Sequence, residues 1–123
     1  MKSFIRIPIA ALLAIGAPAA AQPAAQTIVM SNFRYSPPTI HLAAGRPVTL
    51  TFVNRSGGGH DFTAKAFFTS STITAGAAPD GEVEVRGGAT KSLTLIPRAG
   101  TYPAHCSHFL HTPMGMRGQI VVN

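Results

Sequence analysis

The sequence predicts an all-β domain built as a sandwich or a barrel of short strands. Three observations support this prediction. Apolar and polar residues alternate over several short segments, Gly- and Pro-rich turns separate these segments, and none of them sustains the 3.6-residue period of a helix. The sequence shows no internal repeat, and about a hundred residues are enough for a single domain with one core.

Residues 1–21 are predicted to be a secretory signal peptide. Lys2 and Arg6 give a basic start, an apolar run follows over 7–15, and three alanines at 19–21 form a small-residue cleavage site. The apolar run is too short to span a membrane. We therefore expect a periplasmic protein that is cleaved near Ala21 and does not cross the membrane.

The mature chain is predicted to begin with a short disordered lead-in over 22–26, which is rich in Ala, Pro and Gln, and to form one domain over 27–123. The clearest half-buried strand is 48–53, where Val48, Leu50 and Phe52 occupy alternate positions. Residues 64–68 are predicted to form a single helical turn, followed by a loop up to residue 80. The other predicted strand segments are 27–30 with Phe33 and Tyr35, 39–42, 82–85, 92–96 and 118–122.

The charged residues exclude one class of function. Without Lys2 and Arg6, eight basic residues face four acidic ones, and the basic residues are scattered along the chain. This distribution argues against a nucleic-acid-binding protein. It favours a general attraction to acidic partners or surfaces, or serves solubility alone.

Side chains that bind soft metals are concentrated in residues 102–116. This segment holds the only cysteine, Cys106, then His111 five residues later and Met116 five residues further. A thiolate, an imidazole and a thioether suit a copper ion better than a hard cation. One further imidazole would complete the set of two His, one Cys and a weak axial Met that is typical of blue copper electron-transfer sites.

Cys106 cannot form a disulfide within this chain because it has no partner. In an oxidising compartment a free thiol needs protection, which burial or ligation would provide. A metal ion deprotonates and shields a bound thiol. The alternative is a buried cysteine without a chemical role.

The sequence resembles the cupredoxins, the small blue copper proteins that include plastocyanin, azurin and rusticyanin. Residues 33–53 are similar to the first strands of the family, and residues 100–122 to its C-terminal copper loop and last strand. His60 follows a glycine-rich loop, where the family has its first copper histidine. The resemblance implies a single-domain Greek-key β-sandwich with one copper ion at one end. The copper ligands that it implies are His60, Cys106, His111 and Met116.

Two positions depart from related patterns. Asp61 stands where relatives usually have an Asn that ties the two ligand segments together. An ionised Asp can accept hydrogen bonds from Ser107 or a backbone N–H, but it cannot donate. Ser107 stands where multicopper oxidases have a histidine after the cysteine, and those oxidases also need paired histidines in another domain, which this sequence lacks.

Met116 is the favoured axial ligand because its interval from His111 is similar to that in rusticyanin, and because it precedes the last strand. Met114 is the alternative. Its interval from His111 is that of the binuclear copper centre of cytochrome oxidase, but that centre needs a second cysteine.

Three further histidines are not predicted to be ligands. His105 points away from Cys106 if the strand alternation continues through this segment. His108 is expected to be exposed or hydrogen-bonded, although its position two residues after the cysteine leaves it open as a competing ligand. His41 lies opposite Ile40 and Leu42 and is expected to face solvent.

The ligand set predicts a one-electron carrier, not an enzyme, and we expect this carrier to be a monomer. A redox protein such as a cytochrome or an oxidase would dock near His111, whose imidazole edge would be the electron's exit. The side chains around it would form an apolar docking surface if they are exposed, although Phe109 or Leu110 could instead pack into the core. These side chains are Phe109, Leu110, Pro113 and Met114.

Two other functions are considered. The first is a periplasmic copper chaperone, storage or resistance protein that binds Cu(I), to which His105, His108 and Met114 would contribute. The second is an oxidase or nitrite reductase, which is disfavoured because the sequence shows neither a second metal site nor an obvious substrate pocket.

Overall fold

The computed structural model describes Ser3 and residues 23–123, so the predicted signal peptide lies, apart from Ser3, outside the described residues. Within that part of the chain, ten strands form two five-stranded sheets. The strands are β1 (Ala24–Ser31), β2 (Arg34–Ser36), β3 (Thr39–Leu42), β4 (Val48–Asn54), β5 (His60–Thr63), β6 (Thr72–Ala75), β7 (Glu82–Val85), β8 (Thr90–Ile96), β9 (Gly100–His105) and β10 (Arg117–Val122). A helix, α1 (Lys65–Ser70), follows β5, and a 3-10 turn at Pro79–Gly81 precedes β7.

The two sheets form a sandwich. The strand order is β2-β1-β4-β8-β6 in the first sheet and β3-β10-β9-β5-β7 in the second. Strand β1 is parallel to β4 and β3 is parallel to β10, while the other pairs are antiparallel. Many neighbours are not consecutive in the chain, because the chain passes repeatedly from one sheet to the other. The predicted all-β sandwich is confirmed.

The core between the sheets follows the two-residue alternation of the strands. In β4, Val48, Leu50 and Phe52 are buried, as the sequence predicts. The ring of Phe52 meets that of Phe62 from the second sheet with their centroids 5.0 Å apart. Removal of these apolar side chains from water is the main force that holds the two layers together.

The lead-in predicted for 22–26 is shorter than expected, because β1 already begins at Ala24. Its first residues are held by parallel pairing with β4, in which Ala24 lies opposite Val48. This pairing joins segments more than twenty residues apart, and the local composition of Ala and Gln gives no sign of it.

The loop predicted for 69–80 is also partly wrong. Residues Thr72–Ala75 form β6, an edge strand of the first sheet that pairs with β8. The β-branched residues Thr72, Ile73 and Thr74 suit such a strand. The helical turn predicted just before it is confirmed as α1, which buries Phe67 and Phe68.

Strands β5, β9 and β10 carry the chain to one end of the sandwich. Thr63 of β5 lies opposite His105 of β9, which in turn lies opposite Arg117 of β10. The segment 106–116 therefore leaves and re-enters the second sheet next to β5. Among the described residues, no helix is long and apolar enough to cross a membrane.

Candidate metal centre

Three side chains predicted to bind metal converge at this end of the sandwich. His60 is the first residue of β5, Cys106 follows the last residue of β9, and His111 lies in the loop between β9 and β10. The Nδ1 atoms of the two histidines are 3.2 Å apart, and Cys106 Sγ lies 3.3 Å from His111 Nδ1 and 3.9 Å from His60 Nδ1. Residues 46 positions apart in the chain thus share one centre.

The size of this triangle fits a metal ion. The circle through three atoms separated by 3.2, 3.3 and 3.9 Å has a radius of about 2.0 Å, close to the length of metal–imidazole bonds in proteins, roughly 2.0–2.1 Å, and a little short of metal–thiolate bonds. All three residues direct one donor atom to the same point.

The loop that carries Cys106 and His111 is closed by its own hydrogen bonds. The Cys106 N–H donates to Met116 O at 3.1 Å, and the Met116 N–H donates to His111 O at 3.0 Å. The Thr112 hydroxyl donates to Cys106 O at 2.7 Å. These bonds fix Cys106, His111 and Met116 relative to one another, and the first of them continues the pairing of β9 with β10.

The two methionines of the loop lie in different environments. Met116 is completely buried in the cluster that includes Cys106, whereas the side chain of Met114 is 61% exposed. A buried thioether next to β10 is fixed by packing, as an axial ligand requires. The structure therefore supports Met116 over Met114 for that position.

His60 is oriented by a contact that the sequence analysis missed. Its Nε2 atom lies 3.0 Å from Asn32 Oδ1, so the Nε2–H donates to this oxygen and the Nδ1 lone pair faces the other donors. Burial, and then the neighbouring imidazoles of His111 and His108, lower the pKa of His60. A neutral imidazole is the form that binds a metal.

Cys106 is fully buried, and burial raises the pKa of its thiol. The backbone N–H of Asp61 donates to its sulfur at 3.4 Å and partly offsets this effect. Without a metal the thiol is favoured, and a bound metal ion would displace its proton. The predicted alternative of an inert cysteine does not explain why two imidazole nitrogens face its sulfur.

The Asp61 carboxylate ties the two ligand segments together by accepting hydrogen bonds, as predicted. It accepts from the backbone N–H of Ser107 at 2.9 Å and from the Ser107 hydroxyl. The Thr63 hydroxyl is a third donor, at 2.8 Å. The Tyr35 hydroxyl, which the sequence analysis also missed, donates to the Asp61 carbonyl. Burial, and then the nearby Cys106 and Asp61, raise the Tyr35 pKa far above its usual range.

The remaining histidines behave as expected. His41 and His105 are exposed. His108 is hydrogen-bonded, because its Nε2 lies 2.8 and 3.0 Å from the two carboxylate oxygens of Glu84. Its ring stacks on that of His111, with centroids 5.2 Å apart and an interplanar angle of 21°. His108 thus packs beside the site, and Glu84 holds it there.

Exposed apolar side chains surround the half-buried His111. Phe109 is 88% exposed, Leu110 56% and Met114 61%, and the Met114 N–H donates to Leu110 O at 3.1 Å. We call these three residues the apolar rim. The expectation of an exposed apolar surface is confirmed, and the alternative that Phe109 or Leu110 packs into the core is wrong.

The fold and the site define a class of protein: a small β-sandwich with two imidazoles, a thiol and a thioether gathered at one end. This is the arrangement of a type 1 copper site, and copper is the metal that such a donor set suits best. The model of the cupredoxin-like domain family matches residues 4–122, and the chain belongs to that family. The resemblance found in the sequence is thereby confirmed.

Solved structures of other proteins share the fold. An auracyanin from Roseiflexus castenholzii is 20% identical, with 85% of this chain and 99% of that chain covered and a TM-score of 0.62. Auracyanin A, a "blue" copper protein from Chloroflexus aurantiacus, is 21% identical over 83% of this chain and all of that one, also with a TM-score of 0.62. The McoA multicopper oxidase from Aquifex aeolicus is 16% identical over 82% of this chain but 29% of the oxidase, with a TM-score of 0.65. No curated protein sequence matches this chain.

Proposed function

We propose that this protein is a one-electron carrier that binds a single copper ion through His60 Nδ1, Cys106 Sγ and His111 Nδ1, with Met116 as the axial ligand. The observation that supports it best is the triangle of these donor atoms, which two distant segments form at one end of the sandwich. When bound, copper would supply reversible one-electron chemistry between Cu(I) and Cu(II).

The residues of the chain would keep this site rigid. Asn32 holds His60, Asp61 links the two ligand segments, and the hydrogen bonds of the loop hold His111 against Met116. A site that keeps its shape has a small reorganisation energy when an electron enters or leaves, so electron transfer is fast. The burial of Cys106 and Met116 excludes water, which tunes the reduction potential.

His111 would be the exit for the electron. It is half-buried, and the apolar rim around it has the character of a docking surface for another protein. We propose a carrier rather than an oxidase. We further propose that the carrier is a monomer that exchanges electrons with a cytochrome or an oxidase.

A visible and paramagnetic resonance spectrum of the copper-loaded protein tests this function. We expect intense blue or green absorption from the copper–thiolate bond and one copper per chain. A colourless Cu(II) protein would overturn the proposal. Replacement of Cys106 by Ser, which keeps the volume but removes the thiolate, serves as the control and should abolish the colour.

A copper-handling protein that binds Cu(I) is the second candidate, and the exposed thioether of Met114 favours it. However, Glu84 pairs with Nε2 of His108, so this nitrogen is not available to capture Cu(I). Transfer of Cu(I) from the protein to a chelator distinguishes the two functions. A carrier should retain copper through many redox cycles, whereas a chaperone should release it rapidly.

We also propose that residues 1–21 are a signal peptide and that the carrier acts in the periplasm. Amino-terminal sequencing of the protein from a periplasmic fraction tests this. We expect the mature chain to begin near Gln22, and recovery of the uncleaved protein from the cytoplasm would contradict it.

A further inference from the structure

A groove of about 540 Å³ lies beside the metal centre, between β2 and β10. Arg34 and Arg117, both exposed, line it together with Phe33 and Met114. We propose that this groove and the apolar rim form one docking surface for an acidic protein, whose carboxylates pair with the two arginines. This inference rests on the proposed function, and it adds the charge of the partner.

The groove is connected to the electron exit. The ring of Phe33 lies in the groove and contacts the ring of His111 edge-on, with centroids 5.0 Å apart. Met114 belongs both to the groove and to the apolar rim. A partner that fills the groove therefore covers the rim and comes close to His111.

The charges of the domain are separated in a way that suits an acidic partner. All four acidic residues of the described chain lie between positions 61 and 84, and Glu82 and Glu84 belong to β7, the edge strand of the second sheet. Arg34 lies on β2, the edge of the first sheet, and Arg117 on β10, which β9 and β5 separate from β7. The acidic side is thus distant from the groove in the strand order.

The two arginines keep their charge uncompensated. In the described part of the chain, the ion pairs within 4.0 Å all involve His108, and none involves either arginine. The Arg117 guanidinium donates to Thr112 O at 3.2 Å, which leaves other donors free. Arginine pairs well with carboxylates, since its planar donors match two oxygens. Two copies of this chain docked by the same surface would instead oppose their arginines.

Charge reversal with a matched control tests the docking surface. The test variant is Arg34→Glu with Arg117→Glu, and the control is Arg46→Glu with Arg98→Glu, which changes the net charge equally. The control residues are exposed and flank the contact between Gly45 N–H and Pro97 O. The Gly45–Pro97 contact lies just before the first residue of β4. The last residue of β4, Asn54, hydrogen-bonds to the loop before His60. The control residues therefore lie at the end of the sandwich opposite the metal centre.

The first probes are two small oxidants of opposite charge. Each Cu(I) protein is mixed at low ionic strength with hexacyanoferrate(III) or with tris(phenanthroline)cobalt(III), and each oxidant takes one electron to give its divalent-metal complex and the Cu(II) protein. We expect the test variant to react about tenfold more slowly with the anion and faster with the cation. The control should change both rates less than twofold, and high salt should reduce the differences.

The second probe is poly-L-glutamate, which carries the carboxylates of an acidic protein. Amide NMR shifts of the Cu(I) protein should move around Arg34, Met114 and Arg117 and stay in place around Arg46 and Arg98. Shifts spread over all basic residues would indicate attraction by net charge alone and overturn the proposal. A dimer in sedimentation equilibrium that the test variant abolishes would assign the surface to self-association instead.

The outcomes separate this inference from the proposed function. If the wild type shows the copper–thiolate absorption but the test and control variants react alike, the docking surface is wrong and the carrier function stands. A wild type without that absorption overturns both. The variants must keep the absorption and the far-ultraviolet spectrum of the wild type. If loss of the Arg117–Thr112 contact disturbs the loop, Arg34→Glu against Arg46→Glu gives the same comparison.

Discussion

At the scale of single residues, the two loop methionines show how burial assigns a role. Met116 and Met114 are two positions apart and carry the same thioether, but only Met116 is buried, in the same cluster as Cys106. A weak axial bond needs a donor that packing holds in place, because a mobile side chain would pay the entropy of ordering. Met114 is exposed and contributes its side chain to the apolar rim instead.

The two methionines should therefore respond differently to replacement by leucine. Met116→Leu keeps a similar volume in the core but removes the thioether, so we expect the reduction potential to rise by tens of millivolts and the paramagnetic resonance spectrum to change. Met114→Leu should leave both within experimental error. Voltammetry of the two variants measures the difference, and the reverse pattern would make Met114 the axial ligand.

The sequence indicates the candidate ligands and the linking role of Asp61, but not the roles of Asn32 and Glu84. Cys106, His111 and Met116 lie within one short loop, so their spacing is visible in the sequence, and His60 came from the family resemblance. Asn32, in the turn after β1, contacts His60, and Glu84 of β7 contacts His108 beside the site. Their roles depend on how the sheets bring distant segments together, and an Asn after a strand or a Glu in one is too common to signal this.

At the scale of elements, β10 depends on a close approach to the chain before β3. Gly118 lies against the carbonyl oxygen of Pro38, and a Cβ at this position would overlap that oxygen. Gln119 N–H donates to the same carbonyl at 2.9 Å. A side chain at 118 would push β10 away from its neighbour and move Met116, two residues earlier.

We expect Gly118→Ala to lower the free energy of unfolding by about 1–3 kcal/mol, the usual cost of overpacking, and to shift the copper–thiolate absorption. Gly58→Ala is the control, since an added Cβ there meets nothing within 4 Å, and should change stability by less than about 0.5 kcal/mol. Denaturant unfolding measures both variants. Equal stabilities would show that the contact with Pro38 relaxes freely.

The pairing of β5 with β7 brings carboxylates together. Asp61 lies opposite Glu84 and Thr63 opposite Glu82, and like charges on neighbouring strands repel. Burial, followed by the carboxylates of Asp61 and Glu84, raises the pKa of Glu82. The folded state therefore binds the Glu82 proton more tightly than the unfolded state, and this residue reduces stability as the pH rises above the unfolded pKa, about 4.3.

Glu82→Gln should consequently stabilise the protein at pH 7 by up to about 1 kcal/mol, and the gain should disappear below about pH 4. Thermal unfolding as a function of pH measures it. Asp80→Asn, at an exposed residue with a positive φ that Asn also tolerates, is the control and should give no comparable gain. A constant effect of Glu82→Gln at every pH would exclude charge as its cause.

Element prediction succeeded where periodicity was strong. β4 and β8 alternate clearly, and the predicted helical turn before residue 69 proved to be α1. It failed at the start of β1 and at β6, which are held by pairing with β4 and β8 rather than by a strong pattern of their own. Edge and terminal strands take their conformation from a neighbour that local sequence does not reveal.

At the scale of the whole molecule, the candidate site joins two distant parts of the chain. His60 belongs to β5, and the other donors belong to the β9–β10 loop. A metal ion that binds only when these parts are together stabilises the folded state, by about 2.7 kcal/mol when the free ion is at a hundred times its dissociation constant.

Copper should accordingly raise the melting temperature of the protein by about 10 °C or more, given that 1 kcal/mol shifts a domain of this size by about 4–8 °C. Removal of copper with a chelator should reverse the change. Cys106→Ala, which lacks the thiolate, is the control in differential scanning calorimetry. If this variant gains as much from copper as the wild type, the ion binds elsewhere.

The hydrogen bonds at the base of the β9–β10 loop have a broader implication. Because the N–H of Cys106 donates to the carbonyl of Met116, the two ends of the loop are joined to each other at its base. The outer part of the loop, which includes Phe109 and Leu110, can therefore change in length and in side-chain chemistry while β9 and β10 keep their register. Recognition and redox tuning can thus evolve at separate rates within fifteen consecutive residues or fewer.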